Sequence, residues 1–102
     1  MAEVSIGKAT LKSGEHRCVK AGGKELSVCN IDGKFYCLDN TCTHEGGPLC
    51  EGDVDVKKGC VTCPWHGSTF DCKSGKVIMG PAIDPVKTYK VTVKDGQLFV
   101  QV

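Results

Sequence analysis

Two Asp-Gly dipeptides constrain the fold of this chain more than any other feature of its sequence. Asp95-Gly96 lies between two runs in which apolar and polar residues alternate, and this combination is the strongest short-range signal for a β-hairpin. A two-residue turn at this point gives three apolar cross-strand pairs: Val93–Leu98, Val91–Val100 and Tyr89–Val102. The alternation and the turn register agree, so the C-terminal segment is predicted to be a hairpin with one apolar face.

The second dipeptide, Asp32-Gly33, predicts another hairpin within "ELSVCNIDGKFYCLD". Its register pairs Cys29 with Tyr36 and Val28 with Cys37. Because successive side chains of a strand point to opposite faces, Cys29 and Cys37 should face apart and should not form a disulfide.

The rest of the chain also favours β structure. It shows no long segment with helical apolar periodicity and no internal repeat, and short β-type runs alternate with Gly, Asp and Asn. With 102 residues, of which 40% are hydrophobic, the chain is predicted to form one all-β domain over residues 1–102. A long irregular region is expected from Asn40 to Gly59, and such a loop in a small domain usually has a functional reason.

Charge and targeting patterns exclude several functions. The 13 basic and 12 acidic residues leave a net charge of +1, which gives no general reason to bind nucleic acid or a membrane surface. The N-terminus has no signal-peptide pattern, and no run of apolar residues is long enough to span a bilayer. Eight cysteines without an export signal therefore predict a cytoplasmic protein whose cysteines bind metal or do redox chemistry, rather than form structural disulfides.

Two short segments each supply one thiolate and one imidazole. "CTHEGGPL" contains Cys42 and His44, and "CPWH" contains Cys63 and His66. Two cysteines and two histidines suit either a tetrahedral zinc ion or a [2Fe–2S] cluster with the cysteines on one iron and the histidines on the other. The cluster is favoured because each arm is mixed and one arm has the spacing C-x-H, which zinc fingers do not commonly use.

At these residues the chain resembles a known family. "CTHEGGPL" and "CPWHGSTFD" resemble the two cluster-binding loops of Rieske [2Fe–2S] proteins, with soluble Rieske-type ferredoxins the most similar, and "GPA" (Gly80 to Ala82) resembles the proline loop that covers the cluster. The resemblance implies a small antiparallel β-sandwich with a two-loop cluster-binding subdomain, at about residues 40–50 and 60–70. It also implies a ligand set: Cys42 and Cys63 hold the inner iron, while His44 and His66 hold the outer iron.

Departures from the family pattern predict a reduction potential in the lower part of the Rieske range. Respiratory Rieske proteins carry two further cysteines that join the loops by a disulfide, and here those positions are Gly47 and Trp65. Ser68 is retained, but Phe70 stands where those proteins have a tyrosine. Fewer hydrogen bonds to cluster sulfur lower the potential. The residues expected around the ligands are Ser68, Trp65, Gly67 and Pro81.

The remaining cysteines are interpreted as bystanders. Cys60 precedes Cys63 by three residues, and its thiol is expected to pack beside the site without being a ligand. The others are expected to be small buried hydrophobes or inert thiols: Cys18, Cys29, Cys37, Cys50 and Cys72. His16 is expected to be an ordinary strand residue. For Trp65, packing and a partner-facing apolar patch both stay open.

The predicted function is one-electron transfer. The four protein ligands saturate both irons, and the chain shows no nucleophile–base motif, phosphate loop or dinucleotide fingerprint, so it is not expected to be an enzyme itself. In the resembled family, small ferredoxins carry electrons from a flavin reductase to a terminal oxygenase, which implies protein redox partners and a monomeric carrier. Two alternatives stay open: an accessory subunit like the small Rieske-like subunit of nitrite reductase, and a structural zinc module.

Overall fold

The computed structural model describes residues 3–43, 46–65 and 67–102, and in these residues it confirms an all-β, antiparallel fold. The strands in chain order are β1 (Glu3–Lys8), β2 (His16–Ala21), β3 (Lys24–Ile31), β4 (Lys34–Asp39), β5 (Asp53–Asp55), β6 (Cys60–Thr62), β7 (Thr69–Asp71), β8 (Val77–Met79), β9 (Thr88–Tyr89), β10 (Val91–Lys94) and β11 (Gln97–Gln101). The one helical element of the described residues is a single 3₁₀ turn, Leu49–Glu51. No described helix is long and apolar enough to cross a membrane.

The strands form three antiparallel sheets. Two of them make the base of the molecule, with the orders β1-β11-β10 and β2-β3-β4-β9. The third sheet, with the order β5-β6-β7-β8, forms a separate upper layer. Loops at one end of this upper sheet contain the cysteines of the predicted metal site.

The C-terminal hairpin has the predicted register over most of its length. β10 and β11 pair Val93 with Leu98 and Val91 with Val100, and Asp95 adopts the positive φ of 50° that a tight hairpin turn requires. The third predicted pair is not formed within this sheet. Tyr89 belongs to β9 and pairs with Cys37 of β4, because the chain leaves one base sheet for the other at this point.

The Asp32-Gly33 hairpin is confirmed in full. β3 and β4 pair Cys29 with Tyr36 and Val28 with Cys37, and neither cysteine is in a disulfide. Cys29 and Cys37 point to opposite faces and enter two different apolar cores. The alternation of the sequence therefore decides which core each side chain joins.

Two apolar cores share the strands β3 and β4. The base core lies between the two base sheets and contains Ile6, Ala21, Leu26, Val28, Cys37, Leu98 and Val100. The upper core lies between the four-stranded base sheet and the upper sheet, and contains Cys29, Leu38, Cys42, Leu49, Val61, Cys63, Phe70, Cys72, Ala82 and Val86. Because both faces of β3 are covered, its residues from Leu26 to Asn30 are all buried.

The region from Asn40 to Gly59 is less irregular than predicted. It contains the 3₁₀ turn and β5, which pairs with β6 through Val54 and Val61. Strands of three residues are too short to show alternation in the sequence, and tertiary pairing determines them.

Candidate metal centre

Cys42 and Cys63 each begin a loop that is closed by the same pair of backbone hydrogen bonds. In the first loop, the Cys42 amide donates to Gly47 O (2.9 Å), and the Gly46 amide donates to Cys42 O (2.9 Å). In the second, the Cys63 amide donates to Ser68 O (2.7 Å) and the Gly67 amide to Cys63 O (3.1 Å). Each cysteine thus accepts from the residue four positions later and donates to the residue five positions later.

A left-handed glycine makes this closure possible in both loops. Gly46 has a φ of 79° and Gly67 a φ of 77°, a region that side chains with a Cβ rarely adopt. Gly67 was expected near the site, whereas Gly46 was not singled out. The signal in the sequence is a glycine four residues after each cysteine.

The loops bring the two cysteines into one buried region. Cys42 is 3% exposed and Cys63 is 2% exposed, both pack in the upper core, and neither is in a disulfide. Gly47 connects them, since its carbonyl accepts from Cys42 and a Cβ built on its backbone would lie 2.6 Å from Cys63 Sγ. Two shielded thiols at the mouths of matched loops fit the cysteine half of a [2Fe–2S] site.

The two histidines of the predicted ligand set, His44 and His66, lie outside the described residues. Each belongs to the segment between its cysteine and the left-handed glycine of the same loop. Their role as ligands stays a prediction.

A third segment links the two loops. The Ala82 amide donates to Ser68 Oγ (3.0 Å), and both residues are buried. The Thr43 hydroxyl donates to the carbonyl of Asp84 (2.6 Å), which ties the same segment to the first loop. The predicted proline loop, Gly80 to Ala82, thus lies against the second cysteine loop, and Asp84, just after it, contacts the first. Pro81 is exposed.

Apolar side chains in the second loop, in β8 and next to the proline loop are exposed. Trp65 is 56% exposed although its ring packs on Gly47, and Ile83 and Met79 are 88% and 64% exposed. Ile78 is also exposed. Of the two interpretations left open for Trp65, this exposure favours a surface patch that a partner could cover.

Cys60 occupies the other face of the upper sheet. It alternates with Val61, which packs in the upper core, so its thiol lines a cavity of about 140 Å³ with Thr62, Thr69 and other outward-facing residues. It is therefore not packed directly against the loops, contrary to expectation. Burial raises the pKa of its thiol, with Asp55 adding to the effect, and keeps it protonated. These observations support its interpretation as a bystander.

The expectation that the cysteines form no structural disulfide is wrong, and so is the prediction that Cys18 and Cys50 are buried hydrophobes or inert thiols. Cys18 of β2 is exposed and forms a disulfide with Cys50 of the 3₁₀ turn, with 5.1 Å between their Cα atoms. The partners are 32 residues apart, and the sequence carries no local signal for the pairing. His16 lies in β2, as expected for a strand residue, and burial lowers its pKa while Asp53 opposes the shift.

Cys29 and Cys72 form a buried thiol pair beneath the upper sheet. A hydrogen bond from Cys72 lowers the pKa of Cys29, and the same interaction, together with burial, raises the pKa of Cys72. Burial also raises the pKa of Cys37, to about 12. Cys29, Cys37 and Cys72 are all buried in the apolar cores, as predicted.

Comparison with known proteins identifies the family. The sequence model of the Rieske [2Fe–2S] domain matches residues 4–90. The chain is 36% identical over 78 residues to the 3-phenylpropionate/cinnamic acid dioxygenase ferredoxin subunit of Photorhabdus laumondii, covering 76% of this chain and 73% of that protein. Among solved structures, it superposes on the Sphingomonas yanoikuyae B1 ferredoxin with a TM-score of 0.91 at 32% identity, covering 99% of both chains.

A second solved structure is similar over nearly the whole chain. It is a chain of the complex of reduced oxygenase and oxidized ferredoxin in carbazole 1,9a-dioxygenase, with a TM-score of 0.89 at 30% identity, covering 96% of this chain and 100% of that one. The extent of the family match and the agreement of the folds lead to one conclusion: the chain belongs to the Rieske [2Fe–2S] domain family.

Proposed function

We propose that Cys42, His44, Cys63 and His66 hold a [2Fe–2S] cluster and that the chain is a one-electron carrier. The observation that carries this proposal is the matched pair of loops, each closed by the same two hydrogen bonds around one buried cysteine and containing one histidine in its sequence. The family match supports the identity of the cofactor.

When bound, the cluster supplies reversible one-electron chemistry. The chain contributes ligands and their environment. Cys42 and Cys63 provide thiolates from the buried side, and the upper core around them excludes water. Four protein ligands leave no position for a substrate, so the chain transfers electrons without being the catalyst.

The proposed partners are a flavin reductase that donates electrons and a terminal oxygenase that accepts them. The similar proteins support this proposal, since one is a dioxygenase ferredoxin subunit and another is a chain of an oxygenase–ferredoxin complex. The exposed side chains of Trp65, Met79 and Ile83 supply an apolar surface beside the loops that such partners could cover. Residues 1–102 act in this proposal as one monomeric unit in the cytoplasm, without nucleic-acid or membrane partners.

The test is spectroscopy of the purified protein followed by reconstitution. We expect red-brown protein with split visible bands, equal amounts of iron and acid-labile sulfide, and an EPR signal after reduction. Colourless protein with stoichiometric zinc would instead support the structural zinc module. Gel filtration with a candidate reductase and oxygenase distinguishes a mobile carrier from a fixed subunit, because only the fixed subunit co-elutes as a stable complex.

The Ser68 hydroxyl is expected to raise the reduction potential. Its oxygen accepts from Ala82, and a hydroxyl that accepts one hydrogen bond can still donate its own hydrogen to a sulfur of the cluster. A hydrogen bond to a charged group contributes roughly 1.5–3 kcal/mol, equivalent to roughly 60–130 mV for one electron. Ser68→Ala should lower the potential by at most that amount, because only the part of the bond energy that is gained in the more negative, reduced form shifts the potential.

Protein-film voltammetry measures this shift. Ser5→Ala, at an exposed position of β1, is the matched control and should leave the potential unchanged. An unaltered potential in Ser68→Ala would show that the hydroxyl serves only to hold Ala82.

A further inference from the structure

The Cys18–Cys50 disulfide joins the edge of the base to the first cysteine loop. Cys18 lies in β2, an edge strand of its sheet, and Cys50 lies in the 3₁₀ turn that follows the loop. Neither residue belongs to the proposed ligand set. The cross-link nevertheless fixes the segment that leads out of the loop containing Cys42.

Hydrogen bonds at Asn40 connect the disulfide to the entry of the same loop. Asn40 Oδ1 accepts from the Cys50 amide (2.7 Å), and its carbonyl accepts from the Leu49 amide (2.8 Å). One residue further along, Thr41 forms an isolated bridge with Pro48. The two ends of the loop are therefore held together next to the disulfide.

The two residues of the disulfide differ in exposure. Cys18 is exposed, whereas Cys50 is 6% exposed. An open cavity of about 340 Å³ lies over the pair and is lined by both cysteines together with Lys20, Asn40 and Glu51. Thiol–disulfide exchange requires the attacking thiolate to reach one of the two sulfurs, and the cavity lined by both cysteines, together with the exposure of Cys18, opens this pair to solvent.

We propose that Cys18–Cys50 is a thiol-exchange site whose state controls how firmly the Cys42 loop is held. A thiolate of an external dithiol attacks Cys18 Sγ, a mixed disulfide forms, the Cys18–Cys50 bond breaks, and Cys50 leaves as a thiolate that takes a proton from water. The second thiol of the reagent, as its thiolate, then attacks the reagent sulfur that is bonded to Cys18 in the mixed disulfide. This step closes the oxidised reagent into a disulfide and releases Cys18 as a thiolate, which is protonated in turn. Two electrons pass from the dithiol to the cysteines, and a disulfide reagent reverses the reaction.

The consequence of opening is a looser first loop. A cross-link between residues 32 apart restricts the unfolded chain strongly, and its loss should lower the apparent Tm by roughly 10 °C or more. Local opening of the loop should also expose the site. This second effect, but not the first, rests on the proposed function.

The test uses purified full-length protein with dithiothreitol and, separately, glutathione redox mixtures as probes. Differential alkylation and peptide mass spectrometry should show that Cys18 and Cys50 become reduced under native conditions, while the buried Cys29 and Cys72 stay unlabelled as internal controls. Iron release to a chelator should then become faster, on the order of tenfold, because release follows local opening. A disulfide that opens only on global unfolding overturns the proposal.

Cys18→Ser provides the matched variant, because it changes an exposed residue and leaves the buried Cys50 in place. It should have the Tm and iron-release rate of the reduced protein, and dithiothreitol should change neither further. If dithiothreitol accelerates iron release equally in Cys18→Ser, the reagent acts on the iron and the proposed control of the loop is wrong. Protein without iron would contradict the proposed function, while alkylation and Tm would still test the exchange.

Discussion

Replacing any one of Cys42, Cys63, His44 and His66 with alanine will give colourless protein. Its iron content per chain should be lower by a factor of at least about ten. Changes to groups that merely orient metal ligands cost roughly 10–100-fold in affinity, so removing a ligand should cost no less. The two cysteine variants have a further cost, because each thiol fills a buried position in the upper core. The measurements are iron, acid-labile sulfide and the visible spectrum.

Cys60→Ser is the control for this series. Its thiol is nearly as buried as that of Cys63, yet it lies on the other face of the upper sheet, so this variant should keep iron, sulfide and colour. Circular dichroism checks that each variant still contains β structure. Unchanged iron and colour in the alanine variant of either histidine would contradict the proposed ligand set.

Gly47→Ala should abolish stable cofactor binding even though the substituted residue is no ligand. The added Cβ would lie 2.6 Å from Cys63 Sγ, closer than real Cβ atoms approach, and 3.0 Å from Cγ of Trp65, which is tighter than most real Cβ contacts. Gly47 has no positive φ, so the effect comes from lack of space and not from backbone strain. Overpacking of this kind costs roughly 1–3 kcal/mol, and here it displaces the sulfur that must reach iron. Iron content after purification and the rate of iron release to a chelator measure the effect.

Two further variants separate crowding of the sulfur from general damage. Gly80→Ala lies in the neighbouring loop, and its Cβ would approach no atom of Ala82 closer than 3.6 Å, so its iron content should be normal. Gly47→Ala combined with Trp65→Ala relieves the contact with the ring but not the contact with Cys63, and should stay impaired. A Gly47→Ala protein with normal iron content and spectrum would show that the loop accommodates the added methyl group without loss of cofactor binding.

Local sequence patterns predicted the elements whose partners are close along the chain. Asp32-Gly33 and Asp95-Gly96 fixed their hairpins because turn register and alternation carry the same information within about a dozen residues. The spacing within each cysteine loop was also readable. By contrast, the short strands β5 and β8 depend on tertiary pairing, and no pattern of their own indicates them.

Most of the errors concern contacts that spacing cannot encode, and Cys60 is the exception. Cysteine positions do not reveal which residues pair, so the link between Cys18 and Cys50 could not be read from the chain. The position of Cys60 could have been inferred, since a residue three before Cys63 along an extended strand faces the other way. The contacts of Ala82 with Ser68 and of Asp84 with Thr43 bring together distant segments and required the structure.

β3 and β4 contribute side chains to both cores, and this sharing allows heat resistance and the redox midpoint to be engineered independently. Val28 and Cys37 point into the base, whereas Cys29 and Leu38 point toward the layer that contains the cysteine loops. Repacking the base core should therefore yield a heat-resistant carrier whose midpoint potential is unaltered. Redesign of the side chains that the same two strands direct into the upper core should change the midpoint potential instead.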